Sequence, residues 1–202
     1  MNHTSDKYAA IADRLAGPGW AIVPNFLSGE LAQSLRDEAL GRYRDGSFRA
    51  AGVGRGEGWR RAPGIRNDQV LWLDEPFSLP QSRYLAELEN LRLAINRSLY
   101  LGLWDFEGHY AVYAPGTRYV RHLDRFSNAK QRRVTAIVYL NDAWQPEDGG
   151  QLRIYLDAED NAHDVLPTRG TLACFLSDTF YHEVLPAGRE RLSLTGWFRT
   201  RE

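Results

Sequence analysis

Apolar residues recur at helical spacing through roughly the first hundred positions and give way to short alternating runs beyond them. Tyr8, Ile11, Ala12 and Leu15 mark one helix, which Gly17-Pro18-Gly19 stops. A short apolar strand follows from Trp20 to Val23. Ser28 then offers an N-cap hydroxyl, Glu30 faces the positive end of the helix dipole, and Leu31, Leu35 and Ala39 form a buried stripe. A third helix is predicted from about Ser82 to Leu101, with Leu85, Leu88, Leu91, Ile95 and Leu99 turned inward. Between the second and third helices, Ala51 to Arg61 is rich in glycine and arginine and has no period, which predicts a long mobile surface hairpin. A strand-like run, Ile65 to Leu73, follows it. Loops of that length inside a compact domain are usually functional.

From Phe106 onward the pattern is β. The runs Tyr110–Tyr113, Tyr119–Leu123, Val134–Leu140, Leu152–Leu156, Thr171–Leu176 and Arg191–Phe198 are separated by turn signals such as Ala114-Pro115-Gly116 and Glu147-Asp148-Gly149-Gly150. The latter reads as a turn and nothing more. Six or more short strands suggest a sandwich or jelly roll, and helices followed by strands give an α+β layout with the helices on one sheet.

Composition narrows the function classes. The charges nearly cancel, at −1 net, so nothing draws the chain in bulk to nucleic acid or an anionic membrane. The arginines around 42–66, interleaved with Tyr43, Phe48 and Trp59, resemble a nucleic-acid surface, but at this net charge a solvated face or a protein-substrate surface is the favoured reading. No apolar run approaches the ~20 residues that span a bilayer, and Met1 to Lys7 lacks the layout of a secretory signal, so the expectation is cytoplasmic. Cys174 is the only cysteine, which excludes an internal disulfide and a CxxC zinc site; a buried inert thiol is its expected state.

The candidate chemistry begins at His122-Leu123-Asp124 at the end of a strand, where residues two apart share a face. A second histidine, His182, lies beyond a later strand. Two histidines and a carboxylate form a facial triad that leaves three octahedral positions open, as Fe(II) needs to bind O₂ and a co-substrate. A His-x-Asp pair alone is a weak signal, and in isolation the zinc or purely structural reading outweighs it. Arg191 adds a second signal: period two places Arg191, Ser193, Thr195 and Trp197 on one strand face, with Leu192 and Leu194 on the other. A guanidinium on the inner face of a sandwich calls for an anion, and its planar fork suits a carboxylate. Tyr139, on a face shared with Thr135 and Ile137, can offer its hydroxyl to the same group. His3, His109 and His163 lack partners at ligand spacing and read as surface or packed histidines.

Several stretches in register resemble the 2-oxoglutarate- and Fe(II)-dependent oxygenases, and within them the prolyl hydroxylases of hypoxia-inducible factor and their bacterial relatives. They are Ile65-Arg66-Asn67-Asp68-Gln69-Val70-Leu71-Trp72-Leu73, Tyr119 to Asp124, Val134 to Asn141, Gly149 to Ile154, and Ser177-Asp178 through His182-Glu183-Val184 to Arg191. The resemblance implies one oxygenase domain over 1–202, helix-rich over 1–105, with a double-stranded β-helix over 106–198. It implies His122, Asp124 and His182 as iron ligands, Arg191, Tyr139 and Thr195 around 2-oxoglutarate, and Tyr113 and Trp197 as active-site aromatics. Arg66, Asp68, Tyr119 and Arg132 fall on the substrate side. The loop from Tyr113 to His122 is one residue shorter than in the family, and Arg125-Phe126-Ser127-Asn128 departs from the animal pattern. Only four residues follow Phe198, where the animal enzymes add a C-terminal helix, so the bacterial branch is implied, with elongation factor Tu as protein substrate. The implied chemistry is proline hydroxylation coupled to O₂ and 2-oxoglutarate decarboxylation, with ascorbate as an accessory reductant and no direct contact with nucleic acid or membrane. Same-chemistry oxidation of a small molecule or nucleobase, and a non-catalytic metal-binding jelly roll, are the alternative readings.

Overall fold

The computed structural model describes residues 3–52, 62, 64–125 and 129–201. The helical spacing near the N-terminus produces α1 (His3–Ala16), whose Tyr8, Ile11, Ala12 and Leu15 are all buried. α2 (Gly29–Arg44) starts where the Ser28 hydroxyl accepts from the Leu31 N–H at 3.2 Å. α3 (Leu79–Leu99) begins three residues earlier than predicted, because Ser78 and Gln81 form a reciprocal capping box with Pro80 in the first turn. This start corrects the inward stripe: Tyr84, Leu88, Leu91, Ala94 and Ile95 are buried, while Leu85 and Leu99 only flank the core.

The strands form two antiparallel sheets. The larger has the order β1-β9-β6-β11-β4-β3-β2, and the smaller β5-β10-β7-β8. In chain order the larger sheet comprises β1 (Trp20–Val23), β2 (Arg49–Ala50), β3 (Gln69–Trp72), β4 (Leu103–Tyr113), β6 (Arg132–Tyr139), β9 (Leu172–Leu176) and β11 (Arg191–Thr200). The smaller comprises β5 (Tyr119–His122), β7 (Leu152–Tyr155), β8 (Ala162–Val165) and β10 (His182–Val184). Strands β1 to β3 lie among the helices in sequence, so the simple order of helices then strands does not hold. The predicted run 65–73 shortens to β3, with Arg66 making a single bridge to Tyr119. The glycine- and arginine-rich stretch from 53 to 61, and 126–128, lie outside the described residues.

Period two divides the larger sheet into two working faces. Tyr110, Val112, Val138, Leu192, Leu194 and Phe198 point outward and pack under the three helices. Ala111, Tyr113, Ile137 and Tyr139 point inward to a second core against Leu152, Ile154 and Val184 of the smaller sheet. Gly108 and Gly196 face each other across β4 and β11, and a Cβ on Gly196 would sit 2.3 Å from the Phe106 ring, so both positions require glycine. The architecture is a double-stranded β-helix with helices on the back of one sheet, and its inner space holds the site.

Candidate active site

His122 ends β5, His182 begins β10, and the two residues are directly paired in register. Their rings lie 4.2 Å apart. His122 Nδ1 is 2.8 Å from the Val120 carbonyl and His182 Nδ1 is 3.1 Å from the Phe180 carbonyl. A carbonyl only accepts, so both Nδ1 atoms carry the proton and both Nε2 lone pairs point inward. Each Nε2 lies 3.5 Å from a different oxygen of Asp124, which the turn after β5 brings to the same point. The three donor atoms lie within 4.8 Å of one another, and two histidines with one carboxylate are the donor set of a facial triad.

The polar surroundings prepare these donors. Burial raises the pKa of Asp124, but His182 and His122 outweigh it and hold the carboxyl well below its usual range. Burial, reinforced by His122, pushes His182 down to about 4, so its ring is neutral near pH 7. Thr135 donates to Asp124 Oδ2 at 2.8 Å. Its single proton is thereby used, so Ser177, 2.9 Å away, donates to Thr135. Thr135 and Ser177 orient the carboxylate, a role that spacing alone did not reveal.

The co-substrate side lies on the larger sheet. Arg191 is 1% exposed, and its guanidinium carbon lies 5.1 Å from the centres of the Tyr113 and Tyr139 rings. Its Nε donates to the Gly150 carbonyl at 2.8 Å, yet Nη2 has no hydrogen-bond partner, and neither does the buried Tyr139 hydroxyl. A buried guanidinium without a carboxylate costs several kcal/mol unless an anion joins it. A dicarboxylate co-substrate meets that need, and the donor set fits it. Gly150 corrects the view of Glu147-Asp148-Gly149-Gly150 as a mere turn: at φ +67° it aims its carbonyl at Arg191, and a Cβ there would come 3.2 Å from Arg191 Cδ. Thr195 lines the same cavity of about 810 Å³, with Ile137, Leu152 and Val184 as its apolar wall.

Tyr119, on the cavity lining, stacks on His122 at 3.7 Å and 14°, and the Arg66 guanidinium lies 4.5 Å from the centre of the Tyr119 ring. Arg66 forms a two-pronged bond to the buried Asp68. Arg132 is not a free cation at the entrance: it lies 3.3 Å over the Trp197 ring and bonds Glu107 at 3.0 Å. His109, read from the sequence as packed or exposed, is buried between Trp72 and Trp197 and lines the cavity. Burial pushes its pKa down to about 3. His163 stacks on Trp20 away from the cavity, and Cys174 is buried. No helix among the described residues is long and apolar enough to cross a membrane.

Comparison with known proteins matches this geometry. The 2OG-Fe(II) oxygenase superfamily model matches residues 108–199. Human Egl nine homolog 1 is 31% identical over 189 residues, covering 89% of this chain and 43% of the relative, so the chain spans less than half of that protein's length. A Pseudomonas putida prolyl-4-hydroxylase structure is 49% identical, covers 96% of this chain and 100% of that one, and superposes with a TM-score of 0.87. A Trichoplax adhaerens prolyl hydroxylase solved with a hypoxia inducible factor peptide fragment is 27% identical, covers 97% and 90%, and has a TM-score of 0.86.

Proposed function

The chain belongs to the 2-oxoglutarate- and Fe(II)-dependent oxygenase superfamily, as a homologue of the EGLN prolyl hydroxylases, and we propose that it is a prolyl 4-hydroxylase acting on a protein substrate. The observation that carries this reading is the unpartnered, buried Nη2 of Arg191 on the wall of the cavity that holds the His122–Asp124–His182 triad, with the unpartnered Tyr139 hydroxyl beside it. An inert metal site has no use for a buried guanidinium without an anion.

The bound iron and keto acid supply oxidative decarboxylation coupled to C–H hydroxylation: 2-oxoglutarate, O₂ and a prolyl residue give succinate, CO₂ and hydroxyprolyl. The chain's own residues supply geometry. His122 and His182 present neutral Nε2 atoms because their Nδ1 protons are engaged by backbone carbonyls. Asp124 stays ionised and is aimed by Thr135 and Ser177. Arg191 would hold a carboxylate of the co-substrate with Tyr139 as a second donor, and Thr195 and Tyr113 would line its place in the cavity. Trp197 lines the reacting centre, while Tyr119 and the Arg66–Asp68 pair flank the substrate approach. Removing water from around the reacting atoms and fixing their separation is the protein's contribution to rate.

The Trichoplax relative was solved with a peptide, which supports a polypeptide substrate here. Elongation factor Tu is the first candidate, on the likeness to a bacterial prolyl-4-hydroxylase. The test is mass spectrometry of a bacterial lysate incubated with the protein, Fe(II), 2-oxoglutarate and air, against Asp124→Ala. One added oxygen on a proline, absent in the control, is expected. Succinate without any oxidised protein would preserve the chemistry and reject the substrate class; no succinate would reject both.

A further inference from the structure

Five arginines line the cavity among the described residues, and three have work. Arg66 is bound to Asp68, Arg132 to Glu107, and Arg191 stands at the co-substrate end. Arg42 and Arg49 are exposed on the same cavity, with no ion pair among the described residues. Asp45, the acidic residue nearest Arg42 in sequence, bonds Ser47 and feels the Arg42 charge but forms no ion pair with it.

Strand register shows where Arg49 points. Arg49 pairs with Val70, Val70 with Ala111, Ala111 with Ser193, and Ser193 with Tyr139. Residues directly opposite in a sheet share a face, so this row runs on the inner face from Arg49 on the edge strand to Tyr139 beside Arg191. Ala111 and Ser193, both small, leave the middle of the row low. From β11, which carries the co-substrate grip, β2 lies three strands away, about 14 Å at ordinary strand spacing. An extended polypeptide covers that distance in about four residues.

The mouth is also asymmetric in charge. Besides the triad's Asp124, the only acidic residue lining the cavity among the described residues is Asp74. It lies four positions beyond Val70 in sequence and two past the end of β3, beyond Trp72 from the row that carries Arg49. An anionic side chain is therefore drawn to one end of the opening and repelled from the other. A phosphate backbone, charged throughout, would meet Asp74 as well as the arginines, and so a single carboxylate on a polypeptide is the better match.

We infer that Arg42 and Arg49 form a subsite for an acidic side chain of the substrate polypeptide, several residues to one side of the target proline. This rests on the protein-substrate reading above. The test uses peptides of equal length containing one proline and a single Glu, or Gln in its place, scanned along the sequence. Hydroxylation is followed by mass spectrometry with Fe(II) and 2-oxoglutarate present.

Glu three to five residues from the proline, on one side only, should lower KM about fivefold relative to Gln, as expected of an exposed charge pair. In the double variant R42Q/R49Q that difference should vanish, with the thermal midpoint and 2-oxoglutarate affinity showing that the protein is folded. Arg49→Glu should reverse the preference toward a Lys peptide. Equal KM values for Glu and Gln peptides, or a preference that survives R42Q/R49Q, would overturn the subsite and leave prolyl hydroxylation standing. Competition by a short RNA without any Glu preference would assign the arginines to phosphate and overturn it equally. If no peptide gains oxygen, the protein-substrate reading falls and the subsite falls with it.

Discussion

Replacing Arg191 by methionine separates two roles that a buried charge can have. In the protein without co-substrate, the guanidinium makes one bond, Nε to the Gly150 carbonyl at 2.8 Å, and leaves Nη2 unpaired at 1% exposure. Losing the bond costs about 1 kcal/mol, while removing an uncompensated buried charge returns a comparable amount. The melting temperature of the ligand-free Arg191→Met protein should therefore stay within about 4 °C of the parent. With 2-oxoglutarate the balance is different, because the variant leaves a buried carboxylate without its partner, at about 3–5 kcal/mol. The dissociation constant should rise on the order of 10²- to 10⁴-fold. Titration calorimetry with Mn(II) in place of Fe(II), under argon, reads both the metal and the keto acid. Metal affinity should be nearly unchanged, since the triad lies on the opposite sheet. An unchanged 2-oxoglutarate affinity, or a collapse of the ligand-free fold, would show that Arg191 serves the structure and not the co-substrate.

Three further outcomes follow from the geometry. Thr135→Val removes the bond that aims Asp124 and should weaken Fe(II) binding about 10- to 100-fold, measured by competition with a metal indicator. His109 is held neutral by burial, with its pKa down to about 3, so the unfolded chain binds one more proton between about pH 6.5 and 3. Stability must then fall as pH drops through that window, by up to about 1.4 kcal/mol per pH unit, and His109→Met should flatten that slope in urea denaturation. Burial also pushes the Cys174 thiol up, so a thiol reagent should find no reactive group in the native protein and one per chain in guanidinium.

The helices and the long strands were legible because their periods are set by local geometry. The inward face of Arg191, Ser193, Thr195 and Trp197 follows from strict alternation along ten residues of β11. Strands β8 and β10 carry no such pattern. They are four and three residues long, and β8 exposes its first three side chains, so their identity comes from pairing with partners far away in sequence. The start of α3 was misplaced because a cap depends on Ser78 and Gln81 and not on the apolar stripe. At the site, the His-x-Asp spacing is local and readable, whereas the tie to His182 is a pairing across two strands that spacing could only suggest and that the family resemblance strengthened. The roles of Gly150 and Ser177 depend on a carbonyl direction and a hydroxyl relay, neither of which leaves a mark in composition or period.

The two halves of the centre sit on different sheets. The iron ligands come from β5, the turn after it, and β10, whereas the groups placed around 2-oxoglutarate come from β4, β6 and β11. A keto acid held by Arg191 at one end and chelated to the metal at the other would act as a rivet through the sandwich. Loading the enzyme is then also a mechanical act: metal alone braces one wall, co-substrate alone grips the other, and only both together clamp the walls in place. Heat resistance should accordingly rise more for the pair than for the sum of the two, with the centre serving as the fastening of the fold that surrounds it.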